Sequence, residues 1–306
     1  VIRSRGTAVA TALLLAALAT AGCGLGPGAD VGSVELTATR EFGSVPMLER
    51  SLEASESDTV MRLLEGAADV STRYGGGYVQ SIDGFEEAQR GGHPYDWFFY
   101  VDGVESPIGA AEYRLRGGER IWWDYRDWSA TNRVPAVVGS WPAPFVRGYE
   151  GERHPVAVEC EGGGAACGVA REALEAAGVS VSAGSPAGAI RLLVGPWARL
   201  RSDPAAAQVE AGPATSGVFA DFERRDGGYE LLGLDSGGEV ARGFGPGAGL
   251  VAATRRYEGP PVWLVTGATP AAVRAAADLL DAEKLRDHYA VASEDGKETP
   301  LPLGAG

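Results

Sequence analysis

Lysine is nearly absent from this chain. Lys284 and Lys297 are its two lysines, and the rest of its 27 basic residues are Arg. Its 41 acidic residues outweigh them and set the formal net charge at −14. A chain so acidic offers no basic stripe to a phosphate backbone, which argues against nucleic acid as a partner. The same balance gives nothing to attract an anionic lipid surface. Histidine is scarce as well: His93, His154 and His288 are scattered, and two of them precede Pro. HExxH, a Cys/His cluster at metal-ligand spacing and a nucleophile elbow are all missing, so no familiar hydrolase signature is present. Asp287 and His288 are adjacent, and neighbouring side chains diverge in a helix or a strand. No acid/base pair stands out among the 41 acids, and no calcium-loop spacing orders them. The expectation is a protein that is not an enzyme and holds no metal. A hydrolase centre in the C-terminal half is the alternative.

Long apolar runs are missing too, with one exception. Ala8–Ala21 is uncharged and apolar, follows Arg3 and Arg5, and ends in ATAGC. It is short for a bilayer span and has the three-part pattern of an export signal. Cys23 directly after Ala21-Gly22 resembles a bacterial lipobox, with Thr20 where Leu is more usual. The expectation is a signal peptide over 1–22, lipidation of Cys23, and a Gly-rich tether over 23–32. The protein would sit on the extracytoplasmic face of the cell membrane, held by its lipid alone. Cys160 and Cys167 would remain in an oxidising space, separated by EGGGAA. That flexible run lets them pair, and closing so short a loop is worth about 2–3 kcal/mol. A phosphate loop is the rival for this glycine-rich stretch, but the Lys-Ser/Thr pair of a P-loop and the dinucleotide glycine spacing are missing.

A mature chain of about 280 residues exceeds what one compact core usually holds, so two domains are expected. In SVELTATREF, Val34, Leu36 and Ala38 alternate, and a Gly-Ser turn at 43–44 leads into VPMLERSLEA, which predicts a hairpin. SDTVMRLLEGAAD places Val60, Leu63, Leu64, Ala67 and Ala68 on one helical stripe, with Ser57 or Asp58 as the cap. Three more strands follow, with turns at Asp102-Gly103 and Gly117-Gly118. The pattern predicts an α+β protein. Residues 33–130 form a β-grasp-like domain, a mixed sheet crossed by one helix. Residues 131–154 are a Pro-rich connector ordered by Trp141 and Phe145. Residues 155–292 alternate strands with helices as an α/β domain. Helices are expected at 167–177, near 204–210 and at 270–282, with GLVAATRR (249–256) as a fourth. Residues 293–306 read as a polar, frayed tail.

Aromatic residues are few but unevenly placed: residues 96–128 hold nine of the 25 in the chain. Alternation divides them by face. Trp97, Phe99, Ile121 and Trp123 point one way, toward the helix. Phe98, Tyr100, Trp122 and Trp128 point the other, beside Asp96, Arg120, Asp124 and Arg126. The charged neighbours mark the second face as solvent-facing, and four large aromatics there exceed what a solvated face needs.

DTVMRLLEGA, GGYVQSIDG, WFFYVDG and YRLRGGERIWWDY, in that order, resemble the transcobalamin-like C-terminal domain family. Asp102 stands where Asn is more usual, and Gly118-Glu119 where Gly-Asp is. The resemblance covers about a third of the mature chain and implies a β-grasp-like sheet. In cobalamin carriers this domain closes over one side of the corrinoid while a helical barrel holds the other. This sequence shows no such barrel. The resemblance makes a corrinoid such as cobalamin the candidate ligand, bound by Phe98, Tyr100, Trp122, Trp128, Arg120 and Arg126 as an accessory to uptake. The alternative is a cell-envelope interaction or structural module whose aromatic face is buried against its second domain or a partner protein.

Overall fold

A computed structural model describes residues 28–304 apart from 163 and 226. The proposed signal peptide and Cys23 lie outside the described residues. β1 (Asp30–Arg40) and β2 (Val45–Ser55) form the expected antiparallel hairpin. α1 (Val60–Ala67) starts one residue later than an Asp58 cap would set it and two later than a Ser57 cap. Thr59 is the cap, its hydroxyl accepting from the Arg62 N–H at 3.3 Å. Asp58 instead takes the backbone N–H and hydroxyl of Ser55 and ties down the turn before the helix.

β3 (Val70–Arg73), β4 (Tyr78–Ile82) and β5 (Phe85–Glu86) make a small antiparallel sheet. β6 (Ala88–Arg90), β7 (His93–Val101), β8 (Val104–Glu105) and β9 (Arg120–Asp127) complete the main N-terminal sheet. Its order is β2-β1-β9-β7-β6, with β8 paired to β7. β1 and β9 run parallel and the other pairs antiparallel, so the sheet is mixed. Val60, Leu63 and Leu64 of α1 pack with Trp97, Ile121 and Trp123 on the face that alternation assigned to the helix.

The connector is ordered, as Trp141 and Phe145 predict. Both rings pack on Trp263, at 5.4 and 5.2 Å, and α2 (Ala143–Arg147) carries Phe145 there. Beyond it, β10 (Val156–Cys160), α3 (Ala165–Ala176) and β11 (Ile190–Pro196) form a parallel unit. α4 (Trp197–Leu200), a 3-10 turn at Ala206–Ala211 in place of the helix expected near 204–210, and α5 (Pro213–Ser216) follow. β12 (Ala220–Arg225), β13 (Gly228–Leu234) and β14 (Val240–Gly243) form a separate antiparallel sheet. Then come β15 (Gly249–Arg255), β16 (Pro261–Gly267), α6 (Pro270–Ala277), α7 (Ala282–Leu285), β17 (Ala290–Glu294) and β18 (Lys297–Leu301). The large sheet runs β10-β11-β16-β15-β17-β18. The chain is thus α+β.

Two further sequence expectations fail in this half. GLVAATRR is β15, not a helix. It lies between β16 and β17 with all seven residues buried, so both faces must be apolar and no alternation shows. Residues 297–301 are a paired strand rather than a frayed tail. Their polar residues face water on the sheet edge while Leu301 is buried in the core.

Side chains alternate across the large sheet. Trp263, Val265, Val251 and Ala253 meet α3, α6 and the connector; Val262, Leu264, Leu250 and Ala252 point to the opposite side. That opposite side packs into one cluster with β12–β13, Trp197 and Phe219, and also with Phe42, Tyr100 and Trp122 of the N-terminal sheet. One hydrophobic core therefore spans both halves.

Candidate functional site

The aromatic face divides as the alternation predicts, but it is not open. Tyr100 and Trp122 are 0% exposed, and Phe98 and Trp128 are half-buried. Phe42, from the β1–β2 turn, and Tyr289, from the C-terminal half, cover Tyr100 and Trp122. Tyr289 sits edge-on to Trp122 at 5.4 Å, to Tyr100 at 5.8 Å and to Phe42 at 5.0 Å. Edge-to-face contacts of this kind add to the free energy of area burial. The backbones also approach closely. Gly43 (φ 85°) has no room for a Cβ against the Asp287 carbonyl, and a Cβ on Gly139 would lie 2.7 Å from the His288 nitrogen.

Of the charged residues that marked this face as solvent-facing, Arg120, Asp124 and Arg126 are buried too, each with partners, and Asp96 is half-buried and accepts from the Tyr78 hydroxyl. Asp124 accepts from the Thr39 hydroxyl at 2.6 Å, the N–H of Phe42 at 3.0 Å, the N–H of Gly43 at 3.2 Å and the Tyr289 hydroxyl at 3.1 Å. Burial pushes its carboxyl above the ordinary range, and these hydrogen bonds oppose the rise. Trp122 Nε1–H donates to Thr39 at 2.8 Å, and Tyr100 donates to the Tyr289 hydroxyl at 3.3 Å. Arg126 lies 3.8 Å over the Phe98 ring and donates to the Thr131 carbonyl at 2.9 Å. Its Nε has no hydrogen-bond partner.

Arg120 joins three parts of the chain. It donates to the Gly139 carbonyl of the connector at 2.6 Å, to Asp287 of the C-terminal half at 2.5 Å and to Glu35 of β1 at 3.3 Å. Arg286 reaches back across the same seam to Glu35 at 2.6 Å and also pairs with Glu49. Buried charge is tolerated where it is paired and hydrogen-bonded. Charge in a strand therefore does not by itself signal solvent.

Residues 57–127 match DUF4430, a domain of unknown function. The match runs from the turn before α1 to the end of β9. It leaves the β1–β2 hairpin and everything after Asp127 outside. No curated protein is significantly similar to the chain. Apart from Trp128, the face just described lies within the matched residues, and what covers it comes from outside them: Phe42, the connector and Tyr289.

The sequence motifs at the domain's turns have structural reasons. Asp102 sits at φ 50°, a left-handed position that Asn and Asp tolerate. Its carboxylate accepts the Arg120 N–H at 2.9 Å and a fork from Arg147 at 2.8 and 2.6 Å. Sequence reasoning missed Phe42, Thr39, Arg147 and Tyr289. Each reaches the site from a distant segment, and nothing local in the sequence ties it there.

Cys160 and Cys167 stand at disulfide distance, with Cα atoms 6.0 Å apart. Among the histidines, His93 contacts Asp127 at 3.0 Å and Ser129 at 3.3 Å. Both contacts fall on Nδ1, so this is an anchored ring and not a Ser–His–Asp relay, which needs both ring nitrogens. His288 is half-buried, and the loss of water around its ring holds the imidazole below the usual range. Asp287 binds Arg120, whereas the Nδ1 of its neighbour His288 has no hydrogen-bond partner among the described residues.

Proposed function

We propose that this protein is a non-enzymatic, lipid-anchored module of the cell envelope. Its DUF4430 domain serves as a structural and protein-interaction unit joined face to face with the C-terminal half. The observation that carries this reading is the burial of Tyr100, Trp122, Arg120 and Arg126 beneath Phe42, the connector and Tyr289. A corrinoid on this face would have to displace those groups. It would also strip Asp124 and Arg120 of partners, and an unpaired buried charge is costly. The strand order β2-β1-β9-β7-β6, its parallel β1/β9 pair and the crossing helix favour kinship with the β-grasp and the transcobalamin-like family. Kinship in fold does not carry the ligand with it. Export and anchoring rest on the run Ala8–Ala21 and on Cys23.

Aquocobalamin titration of the intact protein, followed by visible absorption, tests the reading. No spectral change is expected at tens of micromolar ligand, about the range where a weak specific site would fill. A saturable change removed by Trp122→Ala would restore the corrinoid reading. The anchor is tested separately by metabolic labelling with a fatty acid, which Cys23→Ala should abolish.

A further inference from the structure

We propose that the cavity between the 113–119 loop of the DUF4430 domain and the connector turn at 147–153 binds a small molecule bearing a carboxylate or phosphate group. The cavity holds about 200 Å³ and is lined chiefly by Tyr113, Arg116, Glu119, Arg147, Tyr149 and Arg153. Two of its three carboxylates lie deeper than the arginines. The carboxylates of Glu119 and Asp102 are each 5% exposed, whereas the guanidinium side chains of Arg116 and Arg147 are 53% and 30% exposed. The third acid of the lining, Glu150, is 37% exposed but is already paired with Arg255 at 2.7 Å, so the charge left over on the wall is cationic.

The arginines exceed what the buried acids require. Glu119 already accepts from the Tyr113 hydroxyl and the Arg116 backbone N–H, both at 2.8 Å. The Arg116 guanidinium stands off at 3.6 Å from that carboxylate. Arg147 spends its Nε–H and one Nη2 hydrogen on Asp102, and a guanidinium has five N–H donors, so the remainder stay available. Arg153 is exposed and forms no ion pair among the described residues. In a chain of net charge −14, three arginines around one cavity are out of character. Planar donors converging on a small space are the usual means of recognising carboxylate and phosphate.

The site is assembled from two parts of the chain. Gly151, at φ 76°, lies against the Arg116 guanidinium so closely that any Cβ would overlap it. Gly148 likewise leaves no room for a Cβ beside the Glu152 carbonyl. The turn is thereby pressed onto the loop, and Tyr149, stacked on His154 at 4.1 Å, closes one wall.

Isothermal titration calorimetry of the intact protein at low ionic strength tests the proposal, with citrate and inorganic phosphate as separate probes. One saturable site is expected for at least one of them, weakened by added salt. The double variant Arg116→Gln/Arg153→Gln should bind about tenfold or more weakly, because each lost charge-assisted hydrogen bond is a large fraction of a small ligand's affinity. Both residues are exposed, so its thermal midpoint should match the parent. Arg201→Gln, on the ion pair with Glu210 away from the cavity, should leave binding unchanged. Saturation by citrate alone would assign the site to carboxylates, and by phosphate alone to phosphates. If neither saturates up to about 10 mM, or if the double variant binds as the parent does, the proposal is wrong.

Discussion

Arg120 shows how a single side chain can decide the relation between two halves of a chain. It is buried, and its contacts with Gly139, Asp287 and Glu35 belong to three different segments. Arg120→Ala would strip the Asp287 carboxylate of its guanidinium and leave the Gly139 carbonyl only the Asp287 N–H at 3.3 Å, at a cost of about 3–5 kcal/mol. Arg120→Lys should recover little of that, because an ammonium cannot span three acceptors in a plane. Urea unfolding of the two variants checks both expectations. Glu105 makes a second prediction at this scale. Burial pushes its carboxyl up to about 7, against the opposing pull of Arg126 and Arg133. A carboxyl raised in the folded state favours folding while protonated. Its contribution is full below the unfolded value of 4.5 and is lost as pH rises through about 7. Stability should therefore fall between these limits, by at most about 3 kcal/mol. Glu105→Gln should flatten that part of the profile and be the more stable form at pH 8.

Among the elements, those whose two faces differ were legible in the sequence. The β1–β2 hairpin, α1 and the aromatic strands β7 and β9 each have one apolar side, and period alone placed Trp97 and Trp123 under α1. β15 has no polar side because it is buried on both, so periodicity could not separate strand from helix. The last hairpin misled for the opposite reason. β18 is an edge strand with mostly exposed residues, two of them charged, and only Leu301 reveals that it reaches the core. Leu301→Ala should cost about 2–4 kcal/mol, measured by thermal or urea unfolding. A frayed tail would make the same change neutral. The site was half legible. Alternation identified which residues share a face, whereas the cover came from Phe42 and Tyr289, at separations that local pattern does not encode.

At the scale of the whole molecule, the aromatic strands of the DUF4430 domain serve two cores. One side packs under α1; the other joins the cluster that extends through Phe219 and Leu250 into the large C-terminal sheet. An interface of buried aromatics and paired charges, with backbone contacts at Gly43 and Gly139, holds the halves in one arrangement. The broad face of the matched segment then contributes to stability. Calorimetric unfolding of Trp122→Ala tests this most directly. The account predicts a loss of about 3–5 kcal/mol, the range for removing a fully buried large aromatic, with both halves melting together in parent and variant. An unchanged transition, or two separate ones with only the N-terminal half intact, would contradict it.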